Sequence, residues 1–123
     1  MKKILSKLLV IITILSFSSC SLEKILFNPL YGTIWVYEQE YVLFKVCHYI
    51  EFVDEKVVKV WDNIGYGPYI GEYFVEGKNV YFKNLYNEAW DKNYKDGVLT
   101  RKSLELHYIN NQNVIFTENY IEK

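Results

Sequence analysis

Tyr69-Ile70-Gly71-Glu72-Tyr73-Phe74-Val75 and Val80-Tyr81-Phe82-Lys83-Asn84-Leu85, joined by Glu76-Gly77-Lys78-Asn79, read as two strands folded about a tight turn. Aromatic and β-branched residues crowd both arms, and the link contains the Gly and Asn that a reversal requires. Side chains in a strand alternate between faces, so Tyr73, Val75, Val80 and Phe82 share the inward face. A period of two, interrupted by short polar links, is therefore the unit to look for on either side of this hairpin.

Upstream the same period recurs. Residues 33–37 make a first strand and residues 41–53 a long second one, in which Phe44, Val46, His48, Ile50 and Phe52 form the core face. The opposite face carries Leu43, Lys45, Cys47, Tyr49 and Glu51. Asp54-Glu55-Lys56 reverses the chain into a third strand over residues 57–62, and Asn63-Ile64-Gly65-Tyr66-Gly67-Pro68 is a loop whose glycines suit positive φ. Downstream, residues 86–97 are polar with scattered Trp90 and Tyr94 and read as a long loop. Residues 98–108 supply one or two strands, broken near Lys102-Ser103, and after Asn110-Asn111-Gln112-Asn113 a closing strand covers residues 114–118. Seven or eight short-linked strands without a helix predict an all-β antiparallel meander, in the form of a barrel or sandwich over residues 31–123.

The N-terminus follows a different logic. Lys2-Lys3, an apolar run from Leu8 to Phe17 and the small pair Ser18-Ser19 precede Cys20, the order of a secretory signal. Even taken from Ile4 to Phe17 the apolar stretch is shorter than the roughly 20 residues a membrane-spanning helix needs, and Lys7 interrupts it. Residues 1–19 hold three of the 14 basic residues and no acid, so the remaining 104 residues carry 11 basic against 15 acidic groups, a formal charge of −4. An acidic surface argues against a nucleic-acid partner, which needs a basic face.

Phe17-Ser18-Ser19-Cys20 resembles the end of a bacterial lipoprotein signal. The resemblance implies that residues 1–19 are removed, that Cys20 becomes the lipid attachment site, and that residues 20–30 tether the domain to a membrane. Two or three acyl chains on one residue, at about 0.8 kcal/mol per buried methylene, make a stable anchor. Ser21-Leu22-Glu23-Lys24 lacks both an Asp at the second mature position, which is Ser21, and an acidic cluster, and in a two-membrane cell the resemblance then implies the periplasmic face of the outer membrane. With Cys20 lipidated, Cys47 is the only remaining thiol and reads as a small packed side chain.

The strand pattern is similar to that of small lipocalin-like domains of bacterial lipoproteins. Gly32-Thr33-Ile34-Trp35 matches the opening, Ile50-Glu51-Phe52 the second strand, Gly71-Glu72-Tyr73-Phe74-Val75 the middle hairpin, and Leu104-Glu105-Leu106 with Phe116-Thr117 the finish. The likeness implies a lipocalin-like barrel.

Enzyme chemistry finds no support in these residues, and neither does a cofactor. His48 and His107 have no partner at metal-ligand spacing, His48 reading as an interior histidine and His107 as a surface one. The carboxylates are expected at outward strand positions and turns. Gly65-Tyr66-Gly67 runs into Pro68, not into the helix start that a phosphate-cradling loop requires. Two binding functions stay open: an accessory or inhibitor lipoprotein that meets an envelope protein through tyrosine-rich loops, or a barrel that takes a small apolar ligand in its lumen. Trp35, Tyr66, Tyr69, Tyr73, Trp90 and Tyr94 are the expected contacts.

Overall fold

The computed structural model describes residues 28–123, so the signal and Cys20 lie outside the described residues. Nine strands follow one another: β1 (Ile34–Glu40), β2 (Lys45–Phe52), β3 (Val57–Asp62), β4 (Tyr69–Glu76), β5 (Asn79–Lys83), β6 (Tyr86–Asn87), β7 (Lys92–Leu99), β8 (Leu104–Ile109) and β9 (Ile115–Glu122). Consecutive strands pair antiparallel from β1 to β5 and from β6 to β9, along an up-and-down meander. Pairing of β1 with β9 and of β5 with β7 closes eight strands into a barrel, and two-residue β6 lies beside β7 as an extra strand. Closure leaves the eight wall strands without the free edges that invite aggregation.

An eight-stranded barrel is just wide enough inside for side chains to fill it. Trp35, Ile50, Phe52, Val58, Val60, Tyr73, Val80, Leu104, Leu106 and Tyr120 are all buried there, and Phe82, Val75 and Tyr69 pack against them. Aromatic rings link through the interior, Phe52 to Tyr73 edge-on at 4.8 Å, Phe52 to Phe82 at 6.2 Å and Phe82 to Tyr94 at 6.1 Å. Inward positions occupied by glycine make room for larger neighbours. A Cβ on Gly97 would lie 2.6 Å from Leu106 Cδ2, and one on Gly71 would lie 2.8 Å from Leu85 Cβ.

One end, the base, is sealed by the chain leading into β1. Gly32 N donates to Phe52 O at 2.8 Å and Phe52 N to Thr33 O at 2.9 Å, which lays Leu30, 1% exposed, across the bottom of the core. Asn28 Nδ2 donates to the Tyr73 hydroxyl at 3.0 Å, and that hydroxyl donates to the carbonyl of Asp54. Burial pushes the Tyr73 phenol up to about 12, so it stays a donor. Trp35 is fastened beside this seal by Nε1 donating to Thr33 Oγ1 at 2.8 Å.

Three local expectations are corrected. Residues 86–97 are not a loop but β6, a turn and most of β7. The inward positions of β7 are Lys92, Tyr94 and Gly97, and a register shift between Tyr94 and Asp96 breaks the alternation, so neither hydrophobicity nor period marks the strand. Phe44 is 54% exposed and outside β2, because the chain turns over residues 41–44 with Tyr41 N donating to Phe44 O at 2.8 Å. The last strand runs on to Glu122, since Trp35 and Val36 of β1 pair with Glu122 and Ile121 to close the barrel.

The base packing generates a stability expectation. Trp35→Ala removes a buried aromatic from a wall-to-wall core and should cost about 3–5 kcal/mol, a large share of a marginal domain's stability. Denaturant unfolding of wild type and variant checks it, and a midpoint unchanged by the substitution would place Trp35 outside the core.

Candidate functional site

The other end of the barrel, the mouth, has a polar floor. Lys92 of β7 and Glu118 of β9 point inward from strands on either side of β8, and their Nζ and Oε2 meet at 2.6 Å with both side chains about 95% buried. Tyr120 OH donates to Glu118 Oε1 at 3.0 Å, and the Tyr94 hydroxyl lies 3.3 Å from that of Tyr120. The Lys92 ammonium also sits 5.2 Å from the Tyr108 ring centre and 5.8 Å from that of Tyr37. Burial pulls the Lys92 ammonium below its ordinary range while Glu118 opposes that shift. Burial, and after it the Glu118 carboxylate, raises Tyr94, Tyr108 and Tyr37, so these phenols remain protonated at neutral pH.

Above the ion pair lies His48 of β2, 2% exposed. Nε2 faces the amide oxygen of Gln39 at 3.2 Å and therefore carries the ring proton, leaving Nδ1 buried as a lone pair without a partner. Burial, with Lys92 nearby, lowers the imidazole to about 4. Trp90 covers His48 edge-to-face at 5.0 Å. Asp62, at the end of β3, organises this cover: Oδ2 accepts from Trp90 Nε1 at 2.8 Å, and Oδ1 accepts from Ile64 N and Tyr66 N, both at 3.0 Å. One buried carboxylate thus shapes the β3–β4 loop and pins the indole, and Tyr66 meets that indole edge-on at 6.5 Å.

The rim outside this floor is apolar. Val42 is fully exposed and Leu43 is 92% exposed at the tip of the β1–β2 turn, braced by the stacked rings of Tyr41 and Phe44 at 5.0 Å. Ile64 and Tyr66 project from the β3–β4 loop, and Val114 and Ile115 from the β8–β9 turn. Turn positions ordinarily favour Gly, Asn, Asp and Ser, so Val42-Leu43 has no reason in the fold itself.

The expected contact residues divide between the two ends. Trp35, Tyr73 and Tyr94 are core, and Tyr69 is half-buried against it. Tyr66 and Trp90, distant in sequence, are brought together at the mouth. The carboxylates are not confined to outward positions: Asp62 and Glu118 are both 5% exposed in the interior. Glu118 could have been read in phase with Phe116 and Tyr120, but Lys92 lacked a strand register to read against. His107 is on the outer wall, its Nδ1 2.5 Å from Asp96 Oδ1 and its Nε2 3.2 Å from Glu105 Oε2. Among the described residues no group of three His, Cys, Asp or Glu side chains is placed to hold a metal ion, and Cys47 is a free thiol.

The closed, eight-stranded up-and-down barrel defines the class, an all-β barrel of lipocalin-like architecture. No family model matches the chain, and no curated protein or solved structure matches it either.

Two tests follow from the floor. Lys92→Met alone strands a buried carboxylate and should cost about 3–5 kcal/mol, whereas Lys92→Met with Glu118→Leu should recover most of that loss, since an apolar pair of similar volume can replace a buried ion pair at little cost. Chemical unfolding of both variants decides it, and equal loss in both would show that the ion pair is not the source. His48 sets a pH dependence. The unfolded chain takes up the imidazole proton near 6.5 and the folded barrel only near 4, so the unfolded state binds the extra proton between these values. The His48 contribution is complete above pH 6.5 and is lost as pH falls toward 4, by up to about 3 kcal/mol. His48→Gln should flatten the stability difference between pH 7.5 and 4.5, and an unchanged difference would refute the assignment.

Proposed function

We propose that this is an exported, lipid-anchored envelope protein whose non-catalytic barrel works by protein interaction, as an accessory or inhibitor, through its apolar rim. The observation that carries the reading is the Val42-Leu43 tip, two exposed hydrophobic side chains on a turn that the fold would accept in polar form. Burying them against a partner is worth about 1.5–3 kcal/mol each, and Ile64, Tyr66, Val114 and Ile115 extend the same surface. The interior favours this reading over a small apolar ligand in the lumen, because the barrel's own aromatic and aliphatic side chains occupy it.

The anchor supplies an orientation. Signal removal would leave Cys20 eight residues before Asn28, a reach of at most about 28 Å, and Asn28 is hydrogen-bonded at the base of the barrel. Lipid on Cys20 therefore holds the base toward the membrane, at the periplasmic face of the outer membrane, and turns the rim away from it. A protein, not a lipid surface, is the partner that such a rim meets.

A photo-crosslinking amino acid in the full chain tests this in envelope-bearing cells. Placed at Leu43 it should give one discrete protein adduct, and placed at Lys78 in the base turn it should give none. With the crosslinker at Ile64, Val42→Ser/Leu43→Ser should lower the adduct at least tenfold while leaving the melting temperature unchanged. Lipid adducts at Leu43, or an adduct indifferent to the double substitution, would overturn the rim. Acyl labelling of Cys20→Ala tests the anchor separately: the label should vanish and the signal should be retained, and a labelled variant would overturn lipidation at Cys20.

A further inference from the structure

Outside the barrel, lined by none of the rim residues, a cleft of about 600 Å³ lies between the β6–β7 hairpin and the β8–β9 turn. Its lining is of one chemical kind. Asn84, Asn93, Asn110 and Asn111 supply four carboxamides, and Tyr86, Asp91 and Lys95 complete the wall. The side-chain carboxamides of Asn84, Asn93 and Asn111 make no hydrogen bond to another of the described residues. Asn110 Oδ1 is used within its own turn, accepting from Gln112 N at 2.9 Å and Val114 N at 3.0 Å.

Asp91 ties the two sides together. Its Oδ1 accepts from Tyr86 OH at 3.1 Å and its Oδ2 from Asn111 N at 3.1 Å. The first bond orients the half-exposed Tyr86 ring along the cleft wall, and the second fixes the facing turn. Asn84 at φ 58° and Asp91 at φ 54° both adopt the left-handed conformation that non-glycine residues seldom use. Such conformations gather at ligand sites, where the rest of the structure holds them in place.

From this arrangement we infer a binding site for a neutral oligosaccharide. Each free carboxamide offers a donor and an acceptor, the pairing that adjacent sugar hydroxyls present in return. The Tyr86 ring provides an apolar face of the size a pyranose ring can cover. Asp91 and Lys95 are opposite in charge, so the cleft has no net charge by which to select an ion. Its volume falls within the range of small-molecule sites, and its polar groups are already held apart by the strand pairing of Asn93 with Ile109 and Tyr86 with Asn93.

Side-chain amide resonances read this site directly. The isotopically labelled full chain in detergent micelles is titrated with a β-linked N-acetylglucosamine hexamer, with maltohexaose and with inorganic phosphate. Either glycan should shift the NH2 signals of Asn84, Asn93 and Asn111 saturably, with a half-maximum at about 1 mM. The buried Asn87 amide, 2% exposed, should stay in place as an internal report on the fold. Asn93→Ala/Asn111→Ala should weaken binding at least tenfold with the Asn87 signal unmoved, and Tyr86→Ala should do the same independently. Absence of saturable shifts with both glycans, saturation by phosphate alone, or shifts that survive both variants would overturn the proposal.

Discussion

Eight strands closed on themselves leave an interior that side chains must fill, and every inward position here answers to that constraint. Toward the base the answer is hydrophobic. Trp35, Phe52, Tyr73 and Leu30 interlock over the turn that joins β2 to β3, and Gly71 and Gly97 give up their side chains so that Leu85 and Leu106 can lie close to the wall. Toward the mouth the answer is polar: Lys92, Glu118, His48 and Asp62 occupy inward positions, where each costs desolvation unless a neighbour repays it.

That division separates what holds the barrel together from what faces outward. The Lys92–Glu118 pair and its tyrosines close the interior just below the rim, and two inward-pointing groups of opposite charge accept only one register across β7, β8 and β9. Asp62 carries the order one layer further, from the strand end into the loop and the indole above it. The rim therefore presents exposed Val42, Leu43, Ile64 and Tyr66 from a fixed frame, the arrangement that would keep the ordering cost of the proposed interaction low. The Val42 and Leu43 side chains lie outside the core.

The amide-lined cleft depends on the same frame from the other side. Its walls exist because β6 adds a short ladder outside the closed barrel and because Asp91 bridges that ladder to the β8–β9 turn. Rim and cleft share no lining residue, so one chain offers an apolar and a polar surface side by side.

Period-two alternation and turn composition were enough to specify an all-β meander, the β4–β5 hairpin and the inward set of Tyr73, Val75, Val80 and Phe82, because these depend on neighbours two residues apart. The paired N-terminal lysines, apolar run and Cys20 likewise make a local pattern. Tertiary structure decided the rest, and for one reason: register across strands. Strand β7 carries Lys92 and Gly97 inward with a bulge between them, and only pairing with β5 and β8 makes it a strand. Lys92 and Glu118 are 26 residues apart, as are Tyr94 and Tyr120, and nothing local announces either pair. Phe44 looked like core because its parity matched Val46 and Ile50, until the turn at residues 41–44 ended the alternation and left it in solvent. Alternation says which residues share a face; closure of the barrel decides where each strand begins, and so which face turns inward.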